Sequence, residues 1–304
     1  MNRTSRGFTL VEVIVALAIT LLLATTMVLV VRGLLDVWQR SQGEGMGAVE
    51  AKIALDQLER DVQAAMMRRD GKAWFDVRVL GNAELPSHGW KMETTLPMKP
   101  DGESRAMLPV EAGATIAAAR FGRSGVWLRM LTSDYDSAAG ASQPVAISYQ
   151  MGRRAVSAGA GAPTGYALFR EKMSARATFE DVAGFTATSP GALTNPENDD
   201  VLASHVVDFG VWVLARDEAG RLTRLFPSSN TIPLAAPFPG AGEPAVVDVM
   251  IRVLSDEGAA FVQAMEEGRI EQPAAVEAGA WWWSVVEAHS RVYTRRIEMK
   301  ARPW

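Results

Sequence analysis

The first 31 residues constrain this chain most, because they contain an apolar stretch long enough to cross a membrane. Residues 8–31 number 24 and include a single charged side chain, Glu12. At about 1.5 Å per residue a helix of this length spans roughly 36 Å, which covers the hydrocarbon core of a bilayer. Arg3 and Arg6 precede the stretch. The positive-inside rule therefore places the N-terminus in the cytoplasm and the rest of the chain outside.

A secretory signal peptide and a plain signal anchor are the two ordinary explanations of such a stretch. A secretory apolar region covers about 7–15 residues and ends at an Ala-x-Ala-like site; this one is longer and no such site closes it. Glu12 argues against a plain anchor. It lies about 6 Å along a helix from Phe8, where insertion costs less than the roughly 2.5–3.5 kcal/mol of a charge at the bilayer centre. Its carboxylate remains under-solvated there and favours a nearby cation.

A basic leader, Gly7, the run Phe8-Thr9-Leu10-Val11-Glu12 and an apolar helix follow one another. This order resembles the class III signal of type IV pilins and pseudopilins. The resemblance implies that a membrane prepilin peptidase cuts between Gly7 and Phe8, and that Phe8 becomes the N-methylated mature N-terminus. It also implies that Glu12 pairs with the N-terminal amine of a neighbouring subunit. Gly7 suits the cut because it has no side chain to obstruct a peptidase.

Composition and motifs narrow the function classes. The formal net charge of −4 becomes −6 once Arg3 and Arg6 are lost with the leader, so nucleic acid is not an expected partner. The chain has no cysteine, which excludes a thiol nucleophile, a Cys-ligated metal and a disulfide scaffold. No Gly-x-Ser-x-Gly, P-loop or dinucleotide fingerprint is present. We therefore expect no enzyme activity and no cofactor.

The side chains that bind metals are scattered. The three histidines, His88, His205 and His289, are far apart and match no zinc pattern. Residues 134–136 (Asp-Tyr-Asp) and 195–200 (Asn-Pro-Glu-Asn-Asp-Asp) offer oxygen atoms that would suit calcium. Neither segment matches an EF-hand loop, which favours solvated acidic turns over a calcium site, and no metal is predicted.

The helix is predicted to continue beyond the membrane to residue 69. Apolar residues at helical spacing predict one face toward a core: Val49, Ile53, Leu55, Leu58, Val62, Ala65 and Met66. Charged residues fall mostly on the other, solvated face: Lys52, Asp56, Glu59, Arg60 and Asp61.

From residue 70 the pattern changes to strands. Alternating apolar residues predict strands over residues 74–80, 126–131, 145–151, 166–170, 205–214, 245–254 and 292–300. Alternation also predicts that each sheet has one buried and one wetter face. Two helices are predicted over residues 256–267 and 274–289. Isolated glycines such as Gly210 are interpreted as turns or bulges.

Three further segments resemble the J-type minor pseudopilin of type II secretion, the general secretion pathway protein J class. They are a charged helix at residues 55–62, a Tyr-x-Leu-x-Arg-type strand at 166–170 and a proline followed by an apolar strand at 244–249. The chain departs from that class in long insertions at residues 256–291 and 85–109. The resemblance implies an α+β, pilin-like fold, in which a long N-terminal transmembrane helix packs on antiparallel β-sheet.

The predicted organisation is a leader at residues 1–7, a transmembrane helix at 8–31, a continuing helix at 32–69 and a periplasmic β-rich head at 70–304. The implied function is a structural minor pseudopilin at the tip of a short pilus-like filament of type II secretion. It would cross the inner membrane once, with its N-terminus in the cytoplasm. Its partners would be other minor and major pseudopilins, the prepilin peptidase and membrane lipid.

Two alternatives remain open for the function. One is a minor pilin-like subunit of a type IV pilus or of a Verru_Chthon cassette system. The other is a membrane-anchored enzyme or binding domain whose anchor only imitates the leader. The run Trp281-Trp282-Trp283 is either a partner-binding patch or part of the core. We favour the core interpretation, with one or two of the rings buried and one covering the domain edge.

Overall fold

The computed structural model describes residues 10–67, 73–88, 90, 98–100, 115–136, 141–156, 164–180, 197, 200–217, 219–227, 244–300 and 302–303. The chain divides into two compact units, residues 1–45 and 46–304. The first unit contains the N-terminal part of one helix, and the second contains the sheets.

Four α-helices are described: α1 Leu10–Gln63, α2 Ala175–Glu180, α3 Asp256–Glu266 and α4 Ala278–Ala288. The strands are β1 Met66–Met67, β2 Phe75–Val79, β3 Val126–Asp136, β4 Ala141–Ala155, β5 Thr164–Lys172, β6 Val201–Ser204, β7 Val206–Arg216, β8 Leu222–Phe226, β9 Pro244–Leu254, β10 Ser290–Glu298 and β11 Arg302–Pro303. Short 3-10 turns occupy Leu85–His88 and Ile116–Ala118.

The strands form two antiparallel sheets and one short parallel pair. The first sheet runs β2-β3-β4-β5-β6, so each strand pairs with its neighbour in sequence. The second sheet has the order β10-β9-β7-β8. Strands β1 and β11 pair in parallel. An apolar N-terminal helix followed by antiparallel sheets confirms the α+β layout.

The chain passes from one sheet to the other through a single residue, His205. Strand β6 ends at Ser204 on the edge of the first sheet, and β7 begins at Val206 inside the second. His205 has a φ of 58°, a left-handed conformation that turns the chain sharply. Its carbonyl accepts a hydrogen bond from Leu254 N–H at 3.0 Å. Strand β7 then contacts β3, β4 and β5, and one hydrophobic core includes residues of both sheets.

The prediction of one wetter face per sheet is wrong for three strands, the edge strand β2 and the inner strands β7 and β9. All five residues of β2 are buried, as are all but one of β9 and eight in succession along β7. The second faces hold polar residues that pair with one another. Arg129 Nε donates to Asp76 Oδ2 at 2.9 Å with both side chains fully buried, and burial lowers the pKa of Arg129 to about 10.

The predicted core face of helix α1 is confirmed at Leu55, Leu58 and Val62, which are buried, and is wrong nearer the N-terminus of the helix. Its buried stripe in the second unit is Ala51, Ala54, Leu55, Leu58, Asp61 and Val62. Val49 and Ile53, predicted to face the core, are 58% and 52% exposed. The alanines carry too little apolar area to mark the stripe in the sequence. The helix also ends at Gln63, before the predicted residue 69.

Gly210 is explained by a close approach and not by a turn or bulge. It lies within β7 and pairs regularly with Met250 of β9. The buried Phe121 ring occupies the space where a Cβ of residue 210 would stand. Only glycine leaves room there, since a buried ring in a close-packed interior has little freedom to move aside.

Candidate functional site

The residues predicted for processing lie at the extreme N-terminus. Gly7 and Phe8 fall outside the described residues. Glu12 lies in α1 with helical backbone, and its side chain is not described. The processing of Gly7–Phe8 and the pairing of Glu12 therefore stay predictions.

The N-terminal part of α1 contains a segment suited to a membrane. Val13–Gly33 covers 21 residues with a mean hydropathy of 2.8, slightly displaced from the predicted 8–31. Every described side chain from Leu10 to Gly33 is exposed. A helix that is apolar all round is stable only when lipid or other helices cover it. The segment is thus long and apolar enough to serve as a single-pass anchor.

Two hydroxyls within this segment are satisfied by the helix itself. Thr25 Oγ1 donates to the Leu21 carbonyl at 2.8 Å, and Thr26 Oγ1 donates to the Leu23 carbonyl at 2.9 Å. Such back-bonding removes the need for an outside partner in an apolar medium. Glu12 is the only ionisable residue from Leu10 to Val31. Within this stretch of α1, Glu12 therefore has the strongest requirement for a partner.

Asp61 is the principal polar link between α1 and the first sheet. Its Oδ2 accepts from Arg170 Nε at 2.7 Å and from the Tyr149 hydroxyl. Gln57 donates to the same carboxylate at 3.2 Å. The Thr132 hydroxyl donates to the Asp61 backbone carbonyl at 3.1 Å. These contacts join one helical turn to β3, β4 and β5.

Burial shifts the pKa values of two side chains in this network. Burial raises the pKa of Tyr149 well above its ordinary value, and the Asp61 charge adds to the effect. Burial alone would lower the pKa of Arg170, but its hydrogen bond to Asp61 and the nearby charges raise it. The tyrosine therefore stays neutral and the guanidinium stays charged, which keeps one cation against one carboxylate.

Sequence reasoning missed Asp61 because it assigned the residue to the solvated face. A signal was present: Asp61 follows Leu58 by three residues and Ala54 by seven, so it lies on the same stripe of the helix. Its partners Arg170 and Tyr149 lie on predicted strands, but the sequence alone does not give the strand register that brings them to Asp61.

Two further links join α1 to the strands. Arg295 of β10 donates to Glu59 Oε2 at 2.7 Å and also pairs with Asp56. Ser204 N–H of β6 donates to Glu50 Oε2 at 2.8 Å. The helical turns from residue 50 to residue 61 are thus bonded to both sheets.

The tryptophan run is part of the core. Trp281, Trp282 and Trp283 are all buried, so the core interpretation is confirmed, and three rings are buried where one or two were expected. Trp282 Nε1 donates to Glu266 Oε1 at 2.9 Å. The same carboxylate accepts from the Tyr166 hydroxyl at 2.5 Å and pairs with Arg153 at 2.6 Å. Glu266 thereby joins α3 and α4 to the first sheet.

The candidate metal residues do not converge within the part of the chain that the structure describes, where no group of three or more His, Asp or Glu side chains is arranged to hold a metal ion. The side chains of Asp134 and Asp136 are not described, and of residues 195–200 only Glu197 and Asp200 are. His205 Nε2 lies 3.6 Å from Asp256 Oδ1. His289 stacks on Phe261 with ring centroids 5.8 Å apart, and the His88 side chain is not described.

Glu171 should make the stability of the head depend on pH. Burial raises the pKa of this carboxyl to about 7, and the charge of Asp200 adds to the effect while Arg154 opposes it. The native state therefore binds the proton more tightly than the unfolded chain, whose glutamate pKa is about 4.3. The free energy of unfolding should fall as pH rises from about 4.5 to 7 and level off above. Because the group is only partly buried, solvent screening reduces this contribution to on the order of 1 kcal/mol.

The variant Glu171→Gln tests this predicted pH dependence of stability, because a glutamine mimics the protonated glutamate at every pH. Unfolding of the full-length protein in detergent, measured at pH 5 and pH 8, should show a smaller loss of stability for the variant than for the wild type. Glu298→Gln, at a carboxylate that is 72% exposed, is the matched control. Parallel pH profiles for wild type and Glu171→Gln would contradict the assignment.

Comparison with known protein families gives one match. Residues 2–28 match the family described as the prokaryotic N-terminal methylation motif. No curated protein and no solved structure matches the chain. The match supports a type IV pilin-like or pseudopilin class, in which a prepilin peptidase processes the N-terminus. Together with the apolar segment of α1, it is compatible with a protein held in a membrane by one N-terminal helix.

Proposed function

We propose that this chain, which begins with the N-terminal methylation motif, is a structural minor pseudopilin of the J-type class in a type II secretion system. The prepilin peptidase cuts between Gly7 and Phe8, and Phe8 is then N-methylated. The mature protein crosses the inner membrane once, with its head in the periplasm. It assembles with other minor and major pseudopilins at the tip of a short filament and has no catalytic role of its own.

The motif at residues 2–28, continuous with an apolar helix that has a single acid, is the observation that carries this proposal. A peptidase signal alone would fit any processed membrane protein. An acid retained inside a lipid-compatible helix adds a requirement for a cation. The new amine created at Phe8 by cleavage supplies that cation, on a second copy or on a sister subunit. Processing and assembly are thereby linked through Glu12.

The J-type assignment is supported by where the resembling segments lie. Residues 55–62 form the part of α1 that is bonded to the sheets. Residues 166–170 lie within β5 and contribute Arg170 to the Asp61 network. Residues 244–249 begin β9, a buried strand of the second sheet. Each segment thus has a structural role in the head, as expected of a subunit whose function is assembly.

N-terminal mass spectrometry of the protein from its native membrane tests the proposal most directly. The expected mature chain begins at Phe8 and has one additional methyl group on its amine. Gly7→Val is the matched control, because a branched side chain at the cleavage site should leave the leader attached. Recovery of the wild-type chain with residues 1–7 intact, in cells that process their other prepilins, would overturn the proposal.

A further inference from the structure

A cluster of cations surrounds one tryptophan ring of helix α4, beside strand β9 of the second sheet. Lys99 Nζ lies 5.9 Å from the Trp283 ring centroid, the Arg120 guanidinium 4.9 Å and the Arg252 guanidinium 5.8 Å. Trp283 lies on α4 and Arg252 on β9. We refer to these four residues as the Trp283 cluster. A single ring offers each cation a modest attraction, which does not replace a counter-ion.

Two described carboxylates beside the cluster, Asp208 and Glu287, are already bonded to other donors. Asp208 Oδ1 accepts from Lys99 Nζ at 2.9 Å, and both side chains are fully buried. Asp208 Oδ2 accepts from the Phe121 backbone N–H at 3.1 Å. Glu287 pairs with Arg120 Nη2 at 2.5 Å. Asp208 is therefore the counter-ion of Lys99, and Glu287 is the counter-ion of Arg120.

Arg252 has no counter-ion of its own. It is the cross-strand neighbour of Asp208 in the β7–β9 pair, yet no ion pair joins it to a carboxylate among the residues described. The residue is 7% exposed, and its Nε has no hydrogen-bond partner in the part of the chain that the structure describes. Burial accordingly lowers the pKa of Arg252, although Asp208 and Glu287 oppose the effect.

Among the residues described, the three cations of the cluster thus face two carboxylates, Asp208 and Glu287, and the charge of Arg123 also acts on Lys99. A buried charge without a partner is costly, and the cost is relieved when a counter-charge with good geometry is supplied. A guanidinium is a planar fork of N–H donors that matches the two oxygens of a carboxylate or a phosphate. Arg252 is not completely buried, since 7% of the residue is exposed.

We propose that Arg252, seated beside Trp283, is the central residue of a binding site for a small oxyanion of the phosphate or carboxylate type. The guanidinium fork holds the anion. Lys99 and Arg120 add positive potential while they keep their ion pairs with Asp208 and Glu287. The site lies on the face of the second sheet that contains Asp208, and it is independent of the processing and assembly of α1.

Thermal unfolding of the full-length protein in detergent tests this site. The midpoint is measured in sodium chloride, sodium phosphate and sodium acetate at equal pH and ionic strength, with each oxyanion titrated. The wild type should gain several degrees in a saturating manner in phosphate, in acetate or in both, because a ligand that binds only the native state stabilises it by mass action. The anion that acts at the lower concentration identifies the ligand type.

Arg252→Met removes the fork and should abolish the response to either oxyanion. In chloride this variant should unfold at or above the wild-type temperature, since it loses an uncompensated buried charge. Arg296→Met, which removes an arginine that is 61% exposed on the neighbouring strand, should respond as the wild type does. Arg252→Lys retains the charge without the fork, and should raise the half-saturating concentration several-fold. It serves as the test if Arg252→Met does not fold.

Two results would overturn the proposal. One is a wild-type midpoint that is the same in all three salts at every concentration. The other is an equal response of the wild type and of the Arg252 variants, which would mean that the oxyanions act elsewhere on the protein.

Discussion

Glu12→Ala is expected to remain in the membrane fraction but to lose co-assembly with its neighbours. Removing the acid makes α1 more apolar, so insertion is preserved. The lost interaction is a charge-assisted hydrogen bond to an N-terminal amine in an apolar medium, worth about 1.5–3 kcal/mol. Because every 1.4 kcal/mol corresponds to a factor of ten, cross-linking to sister subunits should fall by roughly 10- to 100-fold.

Matched variants separate charge from packing at this position. Glu12→Gln retains the size of the side chain but cannot form the ion pair, and should be impaired almost as strongly as Glu12→Ala. Thr25→Ala alters a side chain whose hydroxyl bonds only within its own helix, and should assemble normally. The measurement is site-specific cross-linking in native membranes, with membrane content determined in the same samples. Wild-type cross-linking by Glu12→Ala would show that Glu12 does not pair between subunits.

Arg170→Met should destabilise the head by about 3 kcal/mol, the lower end of the range found when one partner of a buried ion pair is removed, because Asp61 is only 9% exposed but Arg170 is 20% exposed. Asp61 would remain buried beside Tyr149 with no cation against it. The change of residue keeps the length of the apolar stem, so most of the loss reflects the missing charge. Chemical unfolding of the full-length protein in detergent, followed by tryptophan fluorescence, measures the effect.

The chain offers a control in the second link between α1 and the strands. Arg295 is 26% exposed and its partners Asp56 and Glu59 are 43% and 35% exposed, so Arg295→Met should cost no more than about 1 kcal/mol. The double variant Asp61→Leu/Arg170→Met removes both charges, and should be more stable than Arg170→Met alone. If Arg170→Met and Arg295→Met lost equal stability, the Asp61 network would not be the dominant link.

The elements of this fold could largely be predicted from the sequence. Alternation of apolar residues located the central part of β4, β5, β7 and β9, because strands that pack on a core repeat every two residues. The helices after residue 255 were also predicted, although α4 begins at Ala278 and not at residue 274. Gly7, Phe8 and Glu12 came from a linear motif, which requires no knowledge of the fold.

The polar interior could not be predicted in the same way. Asp61, Arg170 and Arg252 resemble surface residues in the sequence, and their burial depends on the register of strands and on which helix face meets them. A charged residue on a strand is ordinarily taken to face water. The structure instead pairs charges across buried faces, so the alternation of β7 and β9 indicated the strands correctly but not the solvent exposure of their second faces.

The connection between the two sheets of the head is a single residue, His205. One residue separates β6 from β7, and one hydrophobic core includes residues of both sheets, so opening either sheet exposes apolar residues of the other. We infer that the head loses its structure as a single block. A protease would then meet either the intact head or a wholly opened chain, with no half-open form to cut.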